Sequence, residues 1–293
     1  MNKWLFWKLI MDTIKYAVSG AGLGLRRDFM DELAERDDQP FDFLEVAPEN
    51  WMEVGGALGK KFAYFTDRYP MMCHGLSLSL GSPAPLDEHF VIRVKKFLDK
   101  HNICSYSEHL SYCGDDGHLY DLMPIPFTEE AVSYVAARIK RVQEILERQL
   151  IIENASYYAA PGQEMTEANF TNSVLAEADC GLLLDVNNIY VNSINHGYDP
   201  VQYMKTMPTE RIAYLHIAGH YSEGNDLKVD THGSDIINPV WDLLEKTYQY
   251  HGVIPTLLER DFNIPSITSL TSEVDKIRHY QLQQEQIRIA QTS

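Results

Sequence analysis

Short apolar runs alternate with longer amphipathic stretches along most of this chain. Eight runs are candidate strands, and most are apolar throughout, as expected for strands that are covered on both faces of a parallel sheet. They span residues 16–23, 41–46, 71–74, 103–109, 150–154, 181–185, 212–216 and 254–259. Because helical stretches separate them, the pattern predicts an α/β protein with a (β/α)8 TIM barrel rather than a doubly wound sheet.

The stretches between the runs carry helix start signals. Thr128 precedes two glutamates and an apolar stripe at helical spacing. Asp199 and Asn238 each stand before a proline, which suits a capping residue followed by the first helical position. Residues 87–100 place apolar side chains on one face, and a polar, partly amphipathic helix over residues 269–290 is predicted to close the barrel.

The beginning of the chain is apolar but lacks the features of a membrane-spanning helix or a signal peptide. The run WLFWKLIM, residues 4–11, is too short to span a bilayer, and no small-residue cleavage site clearly follows it. We therefore expect residues 1–15 to be an N-terminal extension and residues 16–293 to form a single barrel domain with a C-terminal helix.

Six of the predicted strands end in a histidine or a carboxylate. Side chains at the C-terminal ends of parallel strands point into the common mouth of a barrel, so these six would converge. Burying that much charge without partners is costly, and metal ions are the usual remedy. The pattern predicts a metal site at the mouth, built from His74, His109, Glu153, Asp185, His216 and Glu259.

Three further donors extend this set beyond the needs of one ion. Asp230 and His232 lie in the loop after the seventh strand, and Asn188 follows Asp185 by about one helical turn. All the donors are nitrogen or oxygen, which suits iron, manganese or zinc and disfavours copper(I) or an iron–sulfur cluster. Taken singly, each residue has an ordinary structural role, such as capping a helix, but coincidence at six strand ends favours two or three ions sharing bridging carboxylates.

Several other residues are candidates for substrate binding. Glu45 and Asn50 follow the second strand, where they either orient substrate or pair with a neighbouring arginine. Tyr157 and Tyr158 lie just beyond Glu153 and are either substrate contacts or core aromatic residues. His220 lies in a glycine-rich loop after His216, where it could contact substrate or support a ligand.

The net charge and the cysteine content indicate which partners and which cellular compartment suit this chain. With 25 Lys and Arg against 42 Asp and Glu, the formal charge of −17 repels phosphate backbones, so no nucleic-acid partner is expected. The four cysteines show no metal or disulfide spacing, which suits a reducing cytoplasm. We expect three of them to be buried beside strands and Cys113 to be the most exposed.

Nine motifs in this chain resemble those of one known family. They are GLGLRRDF, FDFLEVAPENWM, HGLSLSLGS, SEHLSYCG, ENASYY, LLLDVNNIYVNSINHG, YLHIAGH, VDTHG and LLERD, and together they extend over roughly residues 16 to 262. The family is DUF692, also called UPF0276, the multinuclear non-haem iron-dependent oxidative enzymes, of which a methanobactin biosynthesis enzyme is the best known.

The resemblance implies a specific chemistry. It implies two or three irons, in mixed Fe(II) and Fe(III) states, that use O2 to modify cysteine in a small ribosomally made precursor peptide, often with a partner protein that delivers the peptide. It further implies that His109, Glu153 and Asp185 are essential to catalysis. By motif match, the first iron would be held by His74, His109 and Glu153, the second by Asp185, His216 and Glu259 with Glu153 bridging, and the third by Asn188, Asp230 and His232.

The same barrel and metal layout resembles the wider xylose isomerase-like superfamily, which leaves an alternative open. That superfamily includes a trinuclear zinc endonuclease that cuts at abasic sites, in which histidine takes the place of Asn188. An amide oxygen is a weaker zinc ligand, and the negative charge opposes DNA binding. The alternative function is a zinc or manganese hydrolase or isomerase, and a non-enzymatic metal-dependent binding protein is a third hypothesis.

Overall fold

Eight parallel strands close into one barrel in a computed structural model that describes residues 16–103, 105–114 and 118–292. Each strand pairs with the next along the chain, and the last pairs with the first, which confirms the predicted TIM barrel. The strands are β1 (Ala21–Gly24), β2 (Leu44–Val46), β3 (Met71–Gly75), β4 (Ser105–His109), β5 (Ile151–Glu153), β6 (Gly181–Asp185), β7 (Ile212–Ile217) and β8 (Thr256–Leu258).

Helices connect the strands and cover the outside of the barrel. Those in the described residues are α1 (Met30–Ala34), α2 (Gly56–Thr66), α3 (Glu88–Lys100), α4 (Glu129–Leu146), α5 (Glu167–Ala178), α6 (Val186–His196), α7 (Pro200–Thr206), α8 (Asn238–His251) and α9 (Ile267–Thr292). None of them is both long enough and apolar enough to cross a membrane.

Two of the three predicted helix caps are confirmed. The Thr128 side chain accepts a hydrogen bond from the Ala131 N–H at the start of α4, and Asp199 accepts from the Val201 N–H at the start of α7. The third prediction was wrong, because α8 begins at Asn238 itself and Ile237 occupies the cap position without a side-chain hydrogen bond. Proline is tolerated there because N–H groups in the first helical turn have no intrahelical acceptor.

The C-terminal helix α9 closes the barrel, as predicted. Its apolar side chains at helical spacing pack inward, and Ile267, Leu270, Val274 and Ile277 are buried. At the next position of this stripe, the Gln281 amide donates to the carbonyl oxygens of Gly20 and Ile254, which precede β1 and β8. The predicted N-terminal extension, residues 1–15, lies outside the described residues.

Alternation along the strands sets the position of the polar site. Inside the barrel, six buried side chains form an apolar layer: Phe43, Met72, Ile151, Leu183, Tyr214 and Leu257. Residues two positions apart on a strand face the same side. The next inward positions on these strands, one layer closer to the C-terminal mouth, are Glu45, His74, Glu153, Asp185, His216 and Glu259.

Two short antiparallel ribbons fold within loops that the apolar pattern left unassigned. Tyr112–Gly114 pairs with His118–Met123 after β4, and Tyr221–Ser222 pairs with Lys228–Val229 after β7. Cys113 lies in the first ribbon and is only 5% exposed, so our expectation of an exposed thiol was wrong. The Cys113 backbone N–H donates to the Ser79 hydroxyl, and the Cys113 Sγ lies 3.7 Å from the Leu76 carbonyl oxygen. Both contacts are with the loop that follows β3.

Candidate metal centre

The first group of donors joins the ends of β3, β4 and β5. The Nε2 atoms of His74 and His109 lie 3.1 Å apart, and each lies 3.2 Å from Glu153 Oε2. All three side chains are at least mostly buried. The group is the one that the family resemblance implied for the first iron.

Two further groups follow, and each shares one carboxylate with the group before it. Glu153, Asp185 and His216 form the second group, and Asp185, His232 and Glu259 form the third. Within each group, one ligand atom per residue lies within 4.8 Å of the others. Because Glu153 and Asp185 each belong to two groups, the arrangement provides the bridging carboxylates expected for neighbouring ions.

The remaining implied ligands adjoin these groups in ways that the sequence could not specify. Glu259 Oε2 lies 2.9 Å from His216 Nδ1 and 3.5 Å from His232 Nδ1, so it faces both the second and the third group. Asp230 Oδ1 lies 2.7 Å from His232 Nε2. Asn188 is 3% exposed and lies in the first turn of α6, where its backbone N–H donates to the Asp185 side chain.

Two orphaned oxygen atoms fit the requirements of bound cations. Asp185 Oδ2 and Asn188 Oδ1 are buried and have no hydrogen-bond partner among the described residues. Leaving such acceptors unsatisfied is costly unless something else binds them. The buried clusters can therefore hold metal ions, and their nitrogen and oxygen donors suit iron, manganese or zinc.

The charge balance of the mouth leads to the same conclusion. Arg26 is the cationic side chain that reaches this region in the described residues, where it forms an ion pair with Asp261. Six carboxylates lie in the same region: Glu45, Glu153, Asp185, Asp230, Glu259 and Asp261. Against the effect of burial, neighbouring carboxylates raise the pKa values of His74, His216 and His232, so these rings carry protons in the metal-free site. Together with one guanidinium, they compensate the six anions only in part, whereas divalent cations compensate them directly.

Without metal, protons occupy part of this site. Burial alone would lower the pKa of His74, but the Glu153 carboxylate raises it to about 9. Burial lowers the pKa of His109 to about 4, and the neighbouring charge on His74 adds to this effect. One histidine of the first group is thus protonated and the other neutral at neutral pH. Metal binding has to displace the proton on His74.

Glu45 lies behind a ligand rather than at the surface of the mouth. It is 4% exposed, and its Oε1 lies 3.0 Å from His216 Nε2 while the Tyr214 hydroxyl donates to its Oε2 at 2.6 Å. A carboxylate on the outer nitrogen of a histidine fixes the ring and leaves the other nitrogen for metal. We therefore propose that Glu45 orients His216 instead of contacting substrate.

A hydrogen-bonded line of side chains links this support to the first group. The Tyr214 hydroxyl lies 2.7 Å from Ser107 Oγ, and Ser107 Oγ lies 2.8 Å from His74 Nδ1. Ser107 and Tyr214 were not identified from the sequence. They lie inward at the level of the apolar layer, where the sequence pattern shows only that a position is buried.

The loop after β5 holds several candidate ligands together. The strand-end pattern of the sequence did not reveal this role. The Asn154 side chain accepts from the Asp185 N–H and donates to the Asp185 carbonyl, while Asn188 Nδ2 donates to the Asn154 carbonyl. Ser156 Oγ donates to Asp230 Oδ2 at 3.2 Å. The signal that could have revealed this role is the run of asparagine and serine directly after a strand-end ligand, since such side chains bond readily to nearby backbone.

The proposed substrate contacts are dispersed. Asn50 is exposed, and its backbone carbonyl accepts a hydrogen bond from the Arg27 side chain. Tyr157 is 5% exposed and stacks on His196, whereas the next residue, Tyr158, is 49% exposed and its hydroxyl accepts from the Asp230 N–H. The structure thus brings Tyr158, not Tyr157, to the mouth.

His220 supports the site indirectly, through Asn187. It is 6% exposed, and its Nδ1 lies 2.8 Å from the side-chain oxygen of Asn187. The Asn187 amide in turn donates to Asp230 Oδ1 at 2.9 Å. This line of contacts favours the supporting role for His220 over substrate binding.

Solved structures with this fold include sugar epimerases. A 3-keto-D-glucoside 4-epimerase from E. coli aligns with a TM-score of 0.59 at 10% identity, over 89% of this chain and 98% of its own. L-ribulose 3-epimerase aligns with a TM-score of 0.59 at 13% identity, over 93% of this chain and 98% of its own. At such identities the likeness shows the fold alone, which is the expected TIM barrel.

Sequence relatives match most of the chain. A UPF0276 protein of Shewanella sediminis (strain HAW-EB3) is 64% identical over 260 residues, which are 89% of this chain and 94% of that relative. A family model described as RiPP precursor modification enzyme MbnB/TglH/ChrH matches residues 20–282, where RiPP denotes a ribosomally synthesised and post-translationally modified peptide. That range contains every barrel strand and every candidate ligand. The resemblance inferred from the motifs is therefore confirmed, and this chain belongs to the MbnB/TglH/ChrH family of RiPP precursor modification enzymes.

Proposed function

We propose that this protein is a multinuclear non-haem iron enzyme that uses O2 to oxidise cysteine residues of a small ribosomally synthesised precursor peptide. The observation that carries the proposal is the sharing of Glu153 and Asp185 between adjacent donor groups at the open end of the barrel. Membership of a family of precursor-modifying enzymes supports a peptide substrate. We further propose that a partner protein delivers the peptide and that the reaction takes place in the reducing cytoplasm.

Bound iron would supply the redox chemistry, namely binding of thiolate and activation of O2. The chain supplies ligands that are fixed before the substrate arrives. In the proposed assignment, His74, His109 and Glu153 hold one ion. Asp185, His216 and Glu259 hold a second, with Glu153 bridging, and Asn188, Asp230 and His232 hold a third.

Access to the centre is asymmetric. His216 is fully buried, whereas the side chains of His109 and His232 are 15% and 14% exposed. The peptide thiol would therefore approach from the side of His109 and His232, while His216 and Glu45 keep the inner wall closed to water. Tyr158, whose hydroxyl accepts from the Asp230 N–H, and the exposed Asn50 are the side chains that we expect the peptide to meet.

The test is anaerobic loading of the full chain with iron, followed by O2 and a cysteine-containing candidate peptide, with mass spectrometry of the peptide. We expect an oxidative mass loss in the wild type. Substituting His109→Ala or Asp185→Ala should abolish the loss while the barrel stays folded by circular dichroism. Asp37→Ala, at an exposed residue in the loop between α1 and β2, which enters the barrel at the end opposite the donors, is the matched control and should retain activity.

The same experiment discriminates the alternative function. A hydrolase or isomerase on this barrel would work without O2 and would be fully active with zinc or manganese. Full turnover by protein that contains no detectable iron would contradict the oxidative proposal.

A further inference from the structure

A buried acid lies outside the metal ligands, at the start of α5. Glu167 is 8% exposed, and its carboxylate faces the hydroxyls of Tyr157, Tyr198 and Tyr203. The Asn192 amide donates to Glu167 Oε1 at 3.3 Å, whereas Glu167 Oε2 has no well-aligned hydrogen bond in the described part of the chain. A carboxyl group in such surroundings can hold or release a proton without contacting metal.

A small cavity joins this acid to the loop beside the metal centre. Its volume is about 20 Å³, which accommodates one water molecule and no side chain. Glu167 and Thr171 line it from α5, and Asn154 and Ser156, just after the ligand Glu153, line it from the loop. The size of the cavity favours a bridging water over a pocket for a peptide residue.

Ser156 continues the connection to the donors. Ser156 lines the cavity, and its hydroxyl donates to Asp230 Oδ2 at 3.2 Å. A hydroxyl can accept a proton from one neighbour while it passes its own proton to another. A water molecule in this cavity would therefore complete a path from the Glu167 carboxyl group through Ser156 to the candidate ligand Asp230.

We propose that Glu167 is the proton-relay residue of this enzyme, taking up a proton released by the peptide and returning it to oxygen as O2 is reduced. The inference rests on the proposed function. Each electron pair that leaves the peptide is accompanied by a pair of protons, and the reduced oxygen takes up the same number. A relayed proton leaves an S–H or N–H bond of the peptide, forms the O–H bond of the Glu167 carboxylic acid, and ends in an O–H bond of water. Glu167 has the same charge before and after turnover.

The electrostatics of the cluster support this role. Burial raises the pKa of Glu167 to about 7, against the opposing effect of hydrogen bonds from Tyr203, Tyr157, Asn192 and Tyr198. A group whose pKa lies near the operating pH exchanges protons in both directions with little cost.

The decisive experiment compares Glu167→Gln and Glu167→Asp with wild-type, iron-loaded protein acting on the peptide. We expect the Glu167→Gln variant to keep its iron content but to turn over about 100-fold more slowly than the wild type. Its pH profile should lack the ionisation near neutrality, and its turnover should show no solvent deuterium isotope effect. Glu167→Asp should restore part of both. An unchanged pH profile and isotope effect in Glu167→Gln would overturn the relay.

A second pair of variants tests the path without altering Glu167. Ser156→Ala should slow turnover as Glu167→Gln does, and the double variant should be no slower than either single variant, since both interrupt one path. Ser111→Ala, the same substitution on another residue that lines the cavity, is the matched control and should leave turnover unchanged. Multiplying effects in the double variant, at full iron content, would contradict the relay.

Infrared spectroscopy of the metal-free protein distinguishes this inference from the proposed function. The wild type should lose the band of a protonated carboxyl group as pH rises through neutrality, and Glu167→Gln should lack that band. Subtracting the two spectra removes the contribution of Glu108, whose pKa burial raises to about 8. Absence of this titration overturns the relay whatever the activity, whereas a wild type that leaves peptide and O2 unchanged overturns the proposed function whatever the spectrum.

Discussion

Individual carboxylates in this site have two roles, one for each oxygen. Asp185 Oδ1 accepts the Asn188 N–H at 2.6 Å and caps α6, while Asp185 Oδ2 remains without a hydrogen-bond partner. Glu153 Oε2 faces His74 and His109, whereas its Oε1 lies 3.8 Å from His216 Nδ1. The helix-cap interpretation of a strand-end Asp is therefore confirmed for Asp185, and its second oxygen remains available for the proposed metal.

Competition between metal and a proton on His74 should make metal binding depend on pH. The pKa of His74 is raised to about 9, so a proton has to leave before the ring can bind metal, and affinity falls as pH falls below that value. We expect the apparent dissociation constant of the first group to rise about tenfold per pH unit lost, as measured with zinc as a redox-inert probe.

Proton release provides the control for this prediction. Zinc binding at neutral pH, followed calorimetrically in buffers of different ionisation enthalpy, should release about one proton fewer in His74→Gln than in the wild type. Equal proton release by the two proteins would contradict the raised pKa of His74.

At the scale of elements, packing within β1 and β2 sets the interior of the barrel. β1 contributes Gly22 where neighbouring strands contribute large side chains, and the Phe43 ring occupies that space. A Cβ atom on Gly22 would lie 2.6 Å from ring atoms of Phe43, which is itself fully buried. The two strands thus complete the apolar layer beneath the metal ligands with one aromatic ring.

Gly22→Ala should therefore overpack the barrel. We expect it to lower the free energy of unfolding by about 1–3 kcal/mol, measured by urea denaturation of metal-free protein. Gly162→Ala is the matched control, because its Cβ would meet Pro126 at 3.6 Å, an ordinary contact. Both substitutions restrict the unfolded chain equally, so their difference isolates the packing effect. Equal stability of the two variants would mean that Phe43 can move.

At the scale of the whole molecule, cations bound at the candidate metal centre would offset part of the formal charge of −17. Six carboxylates in one region of the barrel repel one another in the metal-free state, so metal binding to the folded protein should stabilise it. The stability of the fold would then depend on the metal, although the apolar layer beneath the site is complete without it.

Removing metal should lower the melting temperature. We expect the melting temperature to fall by about 5 °C for each bound ion whose free concentration was a hundredfold above its dissociation constant. The measurement is differential scanning calorimetry with and without chelator. Asp185→Asn should show a smaller decrease, because it removes a carboxylate shared by two groups. A melting temperature that chelator and metal leave unchanged would contradict metal binding at these clusters.

The sequence by itself determined the barrel and the identity of most donors. Apolar runs and strand-end residues are local features, and in a parallel barrel the end of each strand reaches the same mouth, so eight local patterns were sufficient. Only the tertiary structure decided which donors share a position and what holds them. Glu45 and Tyr214 are 169 residues apart, yet they meet behind His216 because the closed barrel brings their strands to one interior. Burial of Cys113, the place of Tyr158 and the cavity beside Glu167 depend on loop packing, which the periodicity of single elements does not encode.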